Sequence, residues 1–369
     1  MAFSLNLSAG WRDVLEMIKT INSWRGLMAV TVVLFHAGVD WIWNIAVTGV
    51  TFFFISSAFL LSMKHPFERL RPSDCGRFVL DHALRLYPLH WLALAALVAI
   101  TLLFHTSTVN WTATALSALL VQAWSPVHDI HYGLNPGAWY LSALLFCYAI
   151  YPLVAHWVGR WTLTMQVALI ALLAALLAWI LVPLDIPGRE AVFVNPLSHV
   201  LDVVVGVTLF HVYRLLKARF PRVGPGVATL VEVGALLSLA LAIGINVTTT
   251  WVKPWEDVLI WLLPQGAILV TLAFLDGQEG LVGRVLLWRP LQWLGSISFE
   301  VYVLQFVAFL MFNYMLAPLL GHFGWQVSNL LSWFAMVVLI PLSWLVNRYF
   351  TRPLASRLKN NRQLTTRGK

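Results

Sequence analysis

The sequence predicts an all-α integral membrane protein of about ten transmembrane helices with both termini in the cytoplasm, and three observations carry that prediction. Of its 369 residues, 60% are hydrophobic and only 11% charged, with a mean hydropathy of +0.78, a composition outside the range of soluble globular domains. The apolar residues are gathered into runs of about twenty, the length a helix needs to cross a bilayer. Basic residues fall between alternate runs, as the positive-inside rule requires.

The runs lie at 25–43, 46–63, 84–104, 139–157, 163–183, 197–214, 226–247, 257–275, 295–317 and 327–348, and make one transmembrane domain across 1–369 with a short basic cytoplasmic tail at 349–369. The first opens directly on Arg25 and shows no small-residue cleavage pattern, so it reads as a retained span rather than a signal peptide. Between the third and fourth runs, Trp111 to Trp124 is shorter and rich in Thr and Ser; it reads as a helix in or against an outward loop. Counting it as a span gives eleven. Charge favours ten: with the N-terminus inside, all but Arg189 and Lys253 of the 24 Lys and Arg fall in inward segments. The tail reads as an anchor to anionic lipid. No internal repeat suggests paired transporter halves.

The net charge of +8 does not point to nucleic acid, because the basic residues sit in short inter-span segments. Cys75 and Cys147 are too few for a disulfide framework and read as free thiols. His128 and His131, in a Gly- and Pro-containing loop, lack the further ligands a metal site needs, so no metal is expected. Most of the 19 Trp fit interface belts, with Trp41 and Trp139 as candidate sugar platforms.

Ionisable residues inside spans are a functional signal by default. Arg25 and His36 are eleven residues apart, which on a helix is about 20° past three turns, so they share one face about 16 Å apart. Read blandly, Arg25 snorkels to lipid phosphate and His36 bonds a neighbouring helix. Gly26 and Ala29 beside the stripe admit close approach of a helix or ligand. A second cluster, Asp81, His82 and Arg85, stands where the third span enters the membrane, with Tyr87, Pro88, His90 and Trp91 beyond. A cationic mouth of this kind suits phosphate, and equally serves plain anchoring. His199 and Asp202, three apart, share a face and either receive a substrate or orient each other. Glu232 and Glu300 lie in inner halves of spans, where a carboxylate calls for protonation or a basic partner.

The Arg25-Gly26 opening with His36, GVTFFFISSAFLLS at Gly49–Ser62, ALRLYPLHWL at Ala83–Leu92, LGSISFEVYVLQF at Leu294–Phe306 and YFTRPL from Tyr349 together resemble the acyltransferase-3 family of integral membrane acyltransferases. The resemblance implies transfer of an acyl group, usually acetyl, from cytoplasmic acyl-CoA to a hydroxyl of an extracytoplasmic glycan in a bacterial inner membrane. Acyl-CoA is then a co-substrate, with no permanently bound cofactor. Partners are membrane lipids, the glycan acceptor and any polysaccharide-assembly protein that takes over the acyl group.

Carried over, the family's essential Arg and His match Arg25 and His36, and its basic pair matches His82 and Arg85, although the first position is usually Arg. The fourth span keeps Trp139 and Ser142 but lacks the family's carboxylates, and a frequent His in the ninth span is here Gln305. On this reading His36 is the general base, Arg25, His82 and Arg85 bind the donor, and oxyanion or acceptor contacts are sought among Ser56, Ser57, Trp139, Tyr140, Ser142, His199, Asp202 and Glu300. A covalent acyl-histidine is equally compatible. The rival readings are a transporter or flippase for a lipid-linked saccharide, without covalent chemistry, and a noncatalytic subunit.

Overall fold

The computed structural model describes residues 18–39, 42–322 and 331–357. Trp41, four residues of the expected last span (327–330) and the tail beyond 357 lie outside them. Among the described residues the chain is helical with no strand. Besides short turns such as His128–His131 and Ala317–His322, the helices are α1 (Lys19–His36), α2 (Trp43–Lys64), α3 (Pro72–Phe104), α4 (Trp111–Ala118), α5 (Trp139–Trp157), α6 (Leu163–Leu181), α7 (Ile186–Val194), α8 (Val200–Arg219), α9 (Pro225–Thr248), α10 (Leu262–Phe274), α11 (Leu281–Leu286), α12 (Arg289–Ser296), α13 (Ser298–Met311) and α14 (Leu331–Val346).

Among the described residues seven helices are long and apolar enough to cross a membrane: α2, α3, α5, α6, α8, α9 and α13, the last extended through a π-helical turn at Phe312–Leu316. Of the other expected spans, α10 has only 13 residues and the described part of α14 16, while α1 is 18 residues long but not apolar enough. Its first two turns carry Lys19, Thr20, Asn22, Ser23 and Arg25.

Position in the bundle follows from composition on each face. The most apolar window of α2 is 94% buried, whereas that of α6 is 6% buried. The first is the bundle's centre; the second, apolar all round, presents its sides to lipid. Around α2 pack α1, α8 and α10, and α1 in turn packs on α12 and α13. Small residues set these approaches. A Cβ at Gly26 would lie 2.7 Å from the Gly295 backbone nitrogen, and one at Gly206 would lie 2.6 Å from Ala58 Cβ. The open side beside Gly26 is therefore filled by helix α12.

One expected loop is helical, and the short helix expected from Trp111 is confined to eight residues. The charged segment before residue 84 forms the first turns of α3, whose 33 residues are about 50 Å long, well over the hydrocarbon thickness. Pro72 at its first turn is pre-set for a helix start. The stretch from Trp111 becomes the eight-residue α4, lying along α3. Its C-terminal carbonyls, which no helix can satisfy internally, are taken by α3: His90 Nε2 meets Ser117 O, Trp91 Nε1 donates to Ala118 O, and the Tyr87 hydroxyl donates to Leu119 O, each at 2.8 Å. His90, Trp91 and Tyr87 thus hold α4 rather than lining a cationic mouth.

Candidate active site

Arg25 stands in the second turn of α1, inside the bundle. Its Nη1 donates to Ser56 Oγ at 3.0 Å and its guanidinium lies 5.4 Å from the centre of the Phe53 ring. Tyr140 and Tyr148 are within its electrostatic reach. Nε is buried and has no hydrogen-bond partner among the described residues.

His36 is the last residue of the same helix, so the stripe predicted by spacing runs from near one end of α1 to the other. Its Nδ1 lies 2.9 Å from Oε1 of Gln305 on α13, and Phe306 and Phe35 flank the ring at centroid distances of 5.1 and 5.3 Å. Between Arg25 and His36 the wall is aromatic. Phe53 is 6.0 Å from Tyr140 and 6.2 Å from Tyr302, whose rings are 5.1 Å apart. The Tyr302 hydroxyl donates to Gly137 O at 3.1 Å, tying the turn before α5 to this wall.

The other predicted residues divide into three groups. Arg85 joins the same region, since both it and Arg25 lie within electrostatic reach of Tyr148. His82 is buried one turn before it, its Nδ1 2.6 Å from Phe78 O and its ring packed on Phe78 and Tyr148. Beside it, His65 lies just past the end of α2, where burial first, and then Lys64 and Arg85, push its pKa down to about 4. At neutral pH, therefore, His65 is uncharged, and Arg85 supplies a permanent cation there.

Ser56 and Ser57 sit on the Arg25 side of α2. Ser57 donates to Phe53 O at 2.6 Å and interacts with the Tyr140 side chain. Ser142 Oγ on α5 is buried without a partner among the described residues. Trp139 is 6% exposed, its ring stacked at 5.9 Å on His199 and packed at 4.8 Å on Phe193. Neither arrangement leaves a ring face for a sugar.

The remaining candidates are held by the fold. His199 Nδ1 is 2.7 Å from Asp202 Oδ2, its Nε2 is 2.9 Å from Phe193 O, and its ring stacks on Phe54 at 3.9 Å. With both ring nitrogens facing oxygen, the pair orients itself and presents no base to a ligand. Glu300 accepts from Asn347 Nδ2 at 2.7 Å, and Asn347 Oδ1 accepts from Arg352 Nε at 2.8 Å, so a cation is reached through an amide. Glu232 meets backbone amides rather than a cation. Its carboxylate accepts the backbone N–H groups of Gly280, Val282 and Gly283 at 2.9–3.0 Å, at the start of α11. In the loop before α5 His131 is buried, with Nδ1 3.1 Å from Ser125 O, while His128 is exposed beside Asp129. Among the described residues no group of three or more His, Cys, Asp or Glu is placed to hold a metal ion.

Sequence reasoning passed over Gln305, reading it only as a missing histidine, and did not single out Phe53, Tyr148 or Tyr302. The spacing of Tyr302 and Gln305, three apart and so on one helical face, was the available signal. The arrangement as a whole places the Arg25 guanidinium and the His36 imidazole at two ends of a packed aromatic cluster, with a second cation, Arg85, near Tyr148.

A family model described as an acyltransferase domain, of the acyltransferase-3 type, matches residues 18–348. No curated protein and no solved structure matches the chain.

Proposed function

Because the chain belongs to the acyltransferase-3 family, as the match over 18–348 shows, we propose that this multi-pass membrane acyltransferase moves an acetyl group from cytoplasmic acyl-CoA to a hydroxyl of an extracytoplasmic glycan. The observation that supports this most is the placement of Arg25 and His36 on one helix face, joined by the Phe53, Tyr140 and Tyr302 wall. In a bacterial inner membrane the two substrates approach from opposite faces, and surroundings made of aromatic rings suit a thioester arm better than they suit a sugar.

In this reading Arg85 and Arg25 bind the anionic and polar parts of the donor, Arg85 at the His65 and His82 end and Arg25 deeper in. His36 removes the proton of the acceptor hydroxyl as its oxygen attacks the thioester carbon, a contribution of about 10²–10⁴-fold. The tetrahedral oxyanion then collapses, the carbon–sulfur bond breaks, and the thiolate takes the proton back from the imidazolium. Ser142 Oγ, buried without a partner among the described residues, is a donor available to an oxyanion.

The test is CoA release from acetyl-CoA by purified protein with glycan fragments. His36→Ala abolishes turnover while still binding CoA, and Arg25→Ala chiefly raises the donor KM. Full activity of His36→Ala removes the mechanism. Transfer in detergent, with no sealed compartment, excludes the flippase reading.

A further inference from the structure

A histidine that acts as a base must present an unprotonated nitrogen to its substrate, and a neutral imidazole has only one. Which nitrogen that is depends on the partner of the other. Gln305 decides it here. Its Nε2 donates to Tyr302 O at 2.9 Å, an atom that can only accept. The carboxamide oxygen is thereby turned toward His36, 2.9 Å from Nδ1. Reversing the amide would set oxygen against the Tyr302 carbonyl and the NH2 group against Nδ1, losing one bond and creating a repulsion. Backbone from the turn before α5 closes the same side: a Cβ at Gly137 would lie 3.0 Å from Gln305 Nε2 and 3.5 Å from the Phe306 ring.

We propose that Gln305 is a positioning residue that keeps His36 protonated at Nδ1 and so reserves Nε2 for the acceptor hydroxyl. The proposal rests on the reading of His36 as general base. An amide oxygen accepts the Nδ1 proton in the neutral and the protonated ring alike, so the contact survives the catalytic cycle. It also carries no full charge. The imidazolium formed at Nε2 is oriented by Gln305 without being held by a carboxylate, which leaves its proton available for return to the departing thiolate.

The experiment compares full-length wild type, Gln305→Glu and Gln305→Met in detergent, labelled with ¹⁵N-histidine, with the His36 signal assigned by its loss in His36→Ala. Above the imidazole titration range, wild type and Gln305→Glu show a protonated Nδ1 and a bare Nε2. Gln305→Met, similar in size but without the oxygen, shows a mixture of tautomers. In acyl transfer, Gln305→Met loses about tenfold or more in kcat at unchanged donor KM, and Gln305→Glu, which keeps the accepting oxygen but holds the imidazolium with a charge, recovers only part of it. A wild-type His36 protonated at Nε2, or a Gln305→Met protein with wild-type nitrogen shifts and kcat, overturns the proposal. A tautomer that follows Gln305 as stated, in a protein whose transfer does not need His36, supports the positioning and removes the general-base reading instead.

Discussion

The Glu232 carboxylate lies so close to Gly283 that a Cβ at that glycine would stand 2.6 Å from its Oε1. The same oxygen accepts the Gly283 N–H at 3.0 Å, so α9 and the start of α11 are fastened by a contact only glycine permits. Glu232→Ala strands three backbone donors, two of them buried, and the expected loss is about 3 kcal/mol or more. Gly283→Ala is expected to lower the melting temperature in the same direction. Thermal unfolding in detergent checks both; unchanged melting of either variant shows the contact to be dispensable.

Arg25 binds Ser56 with one nitrogen and leaves Nε buried without a partner among the described residues. Arg25→Lys keeps the charge and loses the planar fork, so kcat/KM is expected to fall by about tenfold or more. Ser56→Ala removes only the anchoring contact, and its effect is expected to be smaller. Steady-state kinetics with varied acyl-CoA separates the two; a fully active Arg25→Lys shows that charge alone suffices.

The buried His199–Asp202 pair predicts a stability phenotype rather than a catalytic one. Asp202→Ala leaves His199 facing one oxygen fewer in a closed site, and removing one member of such a pair costs about 3–5 kcal/mol. Melting temperature is expected to drop sharply, while kcat per folded molecule stays near wild type. A variant that folds normally and has lost transfer points instead to acceptor binding at this pair.

Asp257 lies between α9 and α10, outside the spanning helices, where burial and then the neighbouring Glu256 and Glu190 raise its pKa from the ordinary 3.8 to about 7. The folded state therefore binds this proton more tightly than the unfolded chain does. Stability is greatest below pH 4, falls as pH rises toward 7, and is constant in this respect above it. Asp257→Asn is expected to abolish that slope, so the variant's advantage in melting temperature grows from pH 4 to 7. Parallel melting curves for the two proteins across that range exclude it.

Much of this was legible in the sequence, and the rest was hidden for identifiable reasons. Apolar runs located α2, α5, α6, α8, α9 and α13, because a helix that crosses hydrocarbon must be apolar whatever its neighbours. The first turns of α3 read as a loop, since their charged residues resemble any solvated segment. Glu232 was expected to need a cation or a proton, but its partners are backbone amides, which leave no mark on side-chain composition beyond Gly280 and Gly283. Gln305 was seen only as a lost histidine, because an orienting role exists only relative to the residue it orients, 269 positions away.

The sequence by itself determined the family, the helical membrane architecture and the common face of Arg25 and His36. Each follows from local periodicity or from motif order, which need no tertiary contact. Only the tertiary structure decided that helix α12 occupies the space beside Gly26, that His199 and Asp202 close on each other, and that Gln305 meets His36 at Nδ1. Hydrogen bonds act over about 3 Å in space and carry no memory of distance along the chain.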